Sequence, residues 1–375
     1  MTSRTVLVAG ASGLIGHAAV EQFVRAGGWD VVGVSRSVPR DLPAARTVPL
    51  DLTDPDACRR SLGTVGGVTH LVYAALQEGP GLLPGWYEEE LMQRNAAMLR
   101  NLLDALDLGA LQHVSLLQGT KAYGVHHPSV GPERAPLPLR ERAARVAHPN
   151  FYWLQEDELR ARQVDGTWGL TIFRPTVVYG ATGHVNMNPM PAIAAYAALQ
   201  REAGEPLSFP GTESHRTPRE AVDADLVGRA LVWAATSPRA AGGTFNLTNG
   251  DLFCWDTVWP AIAAALGMDV GPPRPMSFAR DLPTRDEEWS ALVARHDLAV
   301  PDTIEGYVGA NSLVYADVVM AEQRTGAPFV NSTIAARQAG FADCIDTEDM
   351  FVDLLRRMAA SRQIPPLPER TGLTA

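Results

Sequence analysis

The chain has 375 residues, 46% of them hydrophobic, and carries a formal charge of −10 with a pI near 5.4. That length supports a large core, and the acidic balance argues against a nucleic-acid surface and for a soluble, dispersed protein. No apolar run is long enough to span a bilayer, and a strand-like run starts too early to leave room for a signal peptide, so no membrane partner and a cytoplasmic location are expected. Cys58, Cys254 and Cys344 stand far apart without C-x-x-C spacing, which suggests neither a disulfide framework nor a metal site.

The stretch Thr5 to Val20, TVLVAGASGLIGHAAV, organises the rest. Val6 to Ala9 predicts a buried parallel strand that breaks at Gly10 into a small-residue turn and a helix running through Phe23 and Val24. Gly10, Gly13 and Gly16 have the G-x-x-G-x-x-G spacing of a dinucleotide turn. The first makes the tight bend, the second admits a pyrophosphate and the third lets helix and strand pack closely. Ser12, Leu14 and Ile15 complete this cofactor-binding turn.

Trp29 to Val34 predicts the second strand. It ends in Ser35, Arg36 and Ser37, about twenty residues past the glycines, where an acidic residue would bind the ribose of NAD. A cation and two hydroxyls stand there instead, favouring the 2′-phosphate of NADP; a solvated loop charge is the other reading of Arg36. Thr47 to Leu50 predicts the third strand, followed by Asp51-Leu52-Thr53-Asp54. This segment caps a helix and sets Asp51 and Leu52 where an adenine ring would lie; the cap alone is the other reading of Asp51. The strand Thr69 to Ala75 ends in Ala74 and Ala75, small enough for a cofactor to pass. A helix over 86–106 contains Asn95, either a buried polar residue or a support for the active-site loop.

The strand His113 to Leu117 delivers Gln118, Gly119, Thr120 and Lys121 at its carboxyl end, the ligand side of an open parallel sheet. Of 32 basic residues only Lys121 is a lysine. One reading is a need for a compact ammonium on a flexible stem, which guanidinium does not imitate; an accidental survivor of a bias toward arginine is the other. In the loop Val125 to Pro149, His126 and His127 lack a third ligand at metal spacing and are expected at the surface. Asn150 caps the helix FYWLQEDELRARQ, with Tyr152 in its first turn and positions 152, 156, 159 and 163 on one face. With one lysine in the chain no Y-x-x-x-K motif exists. Glu156 stands where that lysine would be, where its charge would raise the pKa of the phenol, so a catalytic Tyr152 must take its positive neighbour from Lys121.

Leu170 to Val178 predicts a strand entering Arg174-Pro175. Pro175 and Val178 could pack on a nicotinamide ring, or Pro175 could simply end the strand. An apolar helix over Met187 to Leu199, a turn at Phe209-Pro210-Gly211, a helix over Val222 to Ala235 and a strand over Gly243 to Thr248 follow. The last third, from Trp255 through Trp259, Phe278 and Trp289, is expected to be a smaller helical domain closing over the cofactor cleft, with a loosely attached tail after Met358. The fold expected is α/β, a Rossmann-type doubly wound parallel sheet over 1–182 completed by about 217–250. Residues 183–216 and 251–360 form the expected substrate region, and 361–375 the tail.

The segments GASGLIG, VVGVSRSVP, LLQGTKAYG, PNFYWLQEDEL, FRPTVVYG, LSFPG, AVDADL and FNLTNGDLFCW resemble the progesterone 5β-reductase and iridoid synthase branch of extended short-chain dehydrogenases, as a bacterial or fungal type of member. The resemblance implies an NADPH-dependent reductase adding hydride to the β-carbon of an activated enone or enal; an apolar substrate and a homodimer are expected with it. It maps the catalytic lysine onto Lys121 and the tyrosine onto the N-F-Y-[YW] segment. Many relatives have two tyrosines there; this chain has Tyr152 followed by Trp153. A carbonyl reductase, a sugar-nucleotide epimerase or dehydratase, and a non-catalytic NADP-sensing protein are the other readings of this fold.

Overall fold

A computed structural model of the protein describes residues 4–37, 42–43, 46–127, 130, 135–163, 168–211, 213–320 and 330–368. Six residues of the loop Val125 to Pro149, 128–129 and 131–134, lie outside that range. The chain forms two compact units, residues 1–177 with 222–249 and 329–344, and residues 178–221 with 250–328 and 345–375.

The first unit is built on a seven-stranded, all-parallel sheet. Its labelled elements are β1 (Arg4–Ala9), α1 (Leu14–Ala26), β2 (Trp29–Ser35), β3 (Arg46–Pro49), α2 (Pro55–Leu62), β4 (Val68–Tyr73), α3 (Glu89–Ala105), β5 (His113–Leu117), α4 (Phe151–Arg162) and β6 (Gly169–Pro175). The order across the sheet is the strand Thr244–Leu247, then β6, β5, β4, β1, β2, β3. The direction of winding therefore reverses between β1 and β4, and in such sheets the crevice at the reversal is where a ligand enters. This is the Rossmann arrangement expected.

The inner strands are largely apolar on both faces because both are covered, while β3, at the sheet edge, is mostly exposed. On one side Leu7, Val32, Leu71, Val114 and Ile172 pack with Leu99, Leu102 and Leu103 of α3 and Leu159 of α4. On the other, α1 packs on the helix Ala224–Thr236, and closely: a methyl group at Gly228 would come within 2.8 Å of the Ala18 carbonyl oxygen. The expected helix over 86–106 is in fact two elements, a single 3-10 turn at Pro84–Tyr87 and then α3. Pro84 starts the turn, and Glu88, in extended conformation, breaks it from α3, which takes Trp86 off the long helix. The segment 329–344, expected in the substrate region, belongs to the first unit, where the helix Ile334–Ala339 packs on the strand Thr244–Leu247.

The second unit is mostly helical, with Met190–Glu202, Trp255–Ala265, Ala310–Met320 and Thr347–Ala360 as its longer helices among the described residues. Trp255, Trp259, Phe253 and Phe351 form one aromatic core, and Trp289 stacks on Tyr307 at 5.2 Å. The tail is held further than expected: Ile364 and Pro365 are buried, and Arg362 pairs with Asp297 and accepts from the Ala299 N–H. An apolar Ile-Pro pair after the last helix has surface to bury, which the sequence reading of a loose end overlooked. No helix among the described residues is long and apolar enough to cross a membrane.

Candidate active site

At the carboxyl end of β1 the chain turns with Gly10 at φ 85°, a conformation that favours glycine, and any side chain there would also stand 2.7 Å from the Ala75 backbone nitrogen. Ala74 N–H donates to the Ala9 carbonyl at 3.0 Å, so the end of β4 closes on the turn. Gly16 is buried with its α-carbon against the Gly10 carbonyl, where a methyl group would overlap it. Helix α1 starts at Gly13 with no side-chain cap and no acid in its first turn. Its first N–H groups, around Ser12, Leu14 and Ile15, therefore offer donors and the positive end of the helix to an anion. The residues present fit a dinucleotide's pyrophosphate.

Next along the sheet edge, Ser35 is buried with its hydroxyl donating to the Ser37 carbonyl, while Arg36 and Ser37 are exposed. Asp51 is exposed and accepts from the Thr53 N–H at 2.9 Å and its hydroxyl at 2.8 Å. The Thr53 N–H holds the Asp51 carboxyl below its ordinary range, against a smaller opposing effect of burial, with the Thr53 hydroxyl and the Arg36 charge adding to the lowering. The cap of α2 is Asp54 rather than Asp51, accepting from Asp56 and Ala57 N–H groups. Leu52 departs from the cofactor assignment: its side chain is in the core and its carbonyl accepts from Asn101 Nδ2 at 2.9 Å.

Strand β5 ends in an extended Gly119 and a 3-10 turn, Thr120–Tyr123, that carries Lys121. A methyl group at Gly119 would stand 3.1 Å from the Tyr152 hydroxyl and 3.6 Å from the Pro175 carbonyl oxygen. The phenol thus lies over the bare backbone of Gly119, at the ends of β5 and β6. Asn150 joins the two halves of this site: its Oδ1 accepts from Tyr152 N–H at 3.0 Å, capping α4, and its Nδ2 donates to the Lys121 carbonyl at 3.0 Å. His148 supports it with Nδ1 at 3.0 Å from the Val146 carbonyl and Nε2 at 3.2 Å from Asn150 Nδ2, contacts that the Nδ1–H tautomer satisfies together. Pro175, buried, ends β6, whereas Val178 begins the second unit.

The Lys121 ammonium lies 3.7 Å from a Glu78 carboxylate oxygen and 3.9 Å from the centre of the Trp86 ring. Both charged side chains are nearly enclosed, 12% and 3% exposed. Burial lowers the Lys121 pKa to about 8 against the opposing pull of Glu78, and burial raises that of Glu78 against the pull of Lys121. They line a small pocket with Gln77, Trp86, His126 and Phe151. Asn95, in α3, sets the segment that carries Glu78. Its Oδ1 accepts from Gln77 N–H at 2.8 Å, its Nδ2 donates to the Gln77 carbonyl at 2.9 Å, and its own carbonyl accepts from Gln155 at 3.0 Å.

Two expectations are corrected here. His126 is buried, not at the surface, with its ring against Trp86, Tyr87 and His148, where it packs as a small aromatic would. Among the described residues no His, Cys, Asp and Glu group could hold a metal. Glu156, expected to burden the phenol with its charge, is tied elsewhere: it accepts from Gln118 Nε2 at 3.0 Å and pairs with Arg145 at 3.0 Å and Arg160 at 2.9 Å. Burial would raise its pKa, but these donors outweigh it and hold the carboxyl low. Gln118 in turn accepts from Arg174 Nε at 2.9 Å. Sequence reasoning missed Glu78, Trp86, Arg174 and Gln155. Their roles depend on contacts between segments far apart in sequence, for which no local pattern stands in the chain.

These residues sit at the carboxyl ends of the strands of a Rossmann-type sheet, the side on which such folds take their ligands. Residues 6–248 match the NAD dependent epimerase/dehydratase family, and the chain belongs to that family. Among curated proteins it is similar to an (S)-8-oxocitronellyl enol synthase of Camptotheca acuminata, 27% identical over 96% of this chain and 93% of that enzyme. It is also similar to the 3-oxo-Delta(4,5)-steroid 5-beta-reductase of Arabidopsis thaliana, 28% identical over 96% of this chain and 92% of that enzyme. These relatives support the resemblance to the iridoid synthase and progesterone 5β-reductase branch, but they are plant proteins and give no support to a bacterial or fungal type. A solved UDP-glucose 4-epimerase of Bifidobacterium longum, in complex with NAD+ and UDP, shares the fold at 17% identity, with a TM-score of 0.63 over 95% of this chain and 98% of that one.

Proposed function

We propose that the protein is a reductase that adds hydride to the β-carbon of an activated enone or enal, with NADPH as the donor. The observation that carries this reading is the Tyr152 hydroxyl over Gly119, on a helix whose cap is bonded to the carbonyl of Lys121. Position 156, where related dehydrogenases place a lysine beside the tyrosine, is a glutamate locked to Arg145, Arg160 and Gln118. That phenol is suited to donate a hydrogen bond rather than to work as a base, and a base is what an epimerase or dehydratase needs.

A bound reduced nicotinamide would supply the hydride; Gly10, Gly13 and Gly16, with Arg36 at the 2′-phosphate, would hold the dinucleotide. Tyr152 donates to the carbonyl oxygen as negative charge gathers there, and Lys121 adds positive potential from the neighbouring turn. One such donor is worth roughly 3 to 4 kcal/mol. An apolar substrate, a homodimeric state and a cytoplasmic location belong to the same proposal. The test is NADPH consumption against enones, enals, steroids and ketones, with analysis of the products. A saturated carbonyl compound is the expected product, and mainly allylic alcohol would move the assignment to a carbonyl reductase.

A further inference from the structure

We propose that Glu78 is a positioning residue, the buried counter-ion that, with the face of Trp86, keeps the chain's single lysine protonated and fixed in its pocket. The inference rests on the proposed reduction only for its catalytic consequence. Its geometry stands on four observations.

First, the pair is nearly closed to solvent, at 3.7 Å, and Glu78 is the one acid lining the pocket among the described residues. Second, the ammonium and the facing Glu78 oxygen stand 3.7 Å apart, beyond a close hydrogen bond, with the Trp86 ring 3.9 Å from the ammonium, so attraction between charges and the ring face is the main hold on it. Third, the segment carrying Glu78 is clamped from both sides of Gln77 by Asn95, itself buried and bonded from Gln155 of α4. Fourth, the Lys121 backbone is fixed by Asn150, the residue that caps the helix of Tyr152. Both ends of the pair are therefore anchored before any ligand arrives.

The consequence is a setting of charge. A lysine removed from water without a partner loses its proton near neutrality, and it then offers no positive potential to a developing oxyanion. The titratable groups around the ammonium are Glu78 from the segment after β4, His126 from the segment after the lysine's own turn, and His148 from the segment before α4. Burial pushes His148 down, so it stays neutral at working pH and does not compete for the role.

The single lysine makes the test direct. Protein grown on lysine labelled with 13C at the ε-carbon, with a lysine-free tag, gives one side-chain signal whose shift against pH reports this ammonium alone. In the native chain the midpoint is expected at about 8. In Glu78→Gln it should fall by at least about one pH unit, since the neighbouring anion is gone. In Glu78→Asp, which keeps the charge on a shorter stem, the fall should be smaller. The alkaline limb of kcat/KM should move with the midpoint in each variant, while a merely structural loss would lower kcat/KM at every pH alike.

An unchanged midpoint in Glu78→Gln overturns the proposal. If that variant does not fold, an unchanged midpoint in Glu78→Asp does the same. A midpoint that falls as expected in a protein that reduces none of the enones tested supports the counter-ion assignment and removes the reductase reading, so the two ideas fail separately.

Discussion

The Tyr152 hydroxyl rests over Gly119 so closely that a methyl group on that α-carbon would stand 3.1 Å from it. Gly119 is extended, with φ near 180°, so alanine is allowed there by the backbone and the effect of Gly119→Ala falls on the phenol. The ring has little room to retreat, since it packs edge-on against Phe151 at 4.6 Å and is 7% exposed. Gly119→Ala should therefore lower kcat by roughly 10-fold to 100-fold through misplacement of the donor, with the melting temperature nearly unchanged. Full activity in that variant would mean that the hydroxyl does not act from this position.

Cofactor choice is expected to depend on Arg36. It is exposed, and its charge acts on Asp51, so its guanidinium stands at the outer edge of the nucleotide end rather than in the core. A charge-assisted bond to a 2′-phosphate is worth about 1.5–3 kcal/mol. Arg36→Ala should weaken NADPH by roughly 10-fold to 100-fold and NADH hardly at all, read by titration of nucleotide fluorescence. Equal affinities for both nucleotides in the native protein would remove the assignment.

The parallel sheet was legible in the sequence because its inner strands are buried on both faces, and so appear as short, mostly apolar runs between turn residues. The glycine turn was legible because Gly13 and Gly16 close on Gly10 and its neighbour within a few residues, although the contact of Gly10 with Ala74 and Ala75 is long-range. What surrounds Lys121 was not. Strands β4 and β5 are neighbours, so their carboxyl ends must meet, but which side chain of the segment after β4 turns inward depends on the Pro84–Tyr87 turn and on the Asn95 clamp. Both are long-range effects with no local pattern. Asn150 was legible as a cap, but its second bond, to the Lys121 carbonyl, was not, because one amide side chain serves two segments. His126 looked solvated for the same reason: its partners come from the 3-10 turn and the segment before α4.

Tyr152→Phe and Lys121→Arg separate the two proposed roles. An enolate needs a donor but no obligatory base, so Tyr152→Phe should lose on the order of 100-fold to 1000-fold in turnover and keep a residue of activity. Lys121→Arg should be no better than Lys121→Ala. The pocket holds a compact ammonium 3.9 Å above the Trp86 ring, and a longer planar guanidinium does not fit between that ring and Glu78. Turnover and NADPH affinity for each variant, with circular dichroism for the fold, decide it. Native behaviour in Lys121→Arg would make the single lysine an accident of composition.

A pair of histidines away from this site should set the acid stability of the first unit. His70 and His113, on adjacent strands, stack at 6.3 Å, with the Trp29 ring edge-on to His70 at 4.7 Å. His70 bonds to the Ala235 carbonyl at 3.1 Å, while His113 Nε2 is buried with no partner among the described residues. Burial lowers both pKa values to about 4, helped at His113 by the charge of His70. The folded state thus holds both rings neutral between pH 6.5 and 4, whereas the unfolded chain takes up protons over that range. Stability is therefore full above about pH 6.5 and falls as the pH drops towards 4, by a few kcal/mol in all, and then levels off. His113→Leu should flatten that decline in a series of thermal melts from pH 8 to 4.5, because one of the two proton-linked groups is gone and the partnerless nitrogen with it. If native and His113→Leu melts fall in parallel across the range, the acid sensitivity lies in other groups.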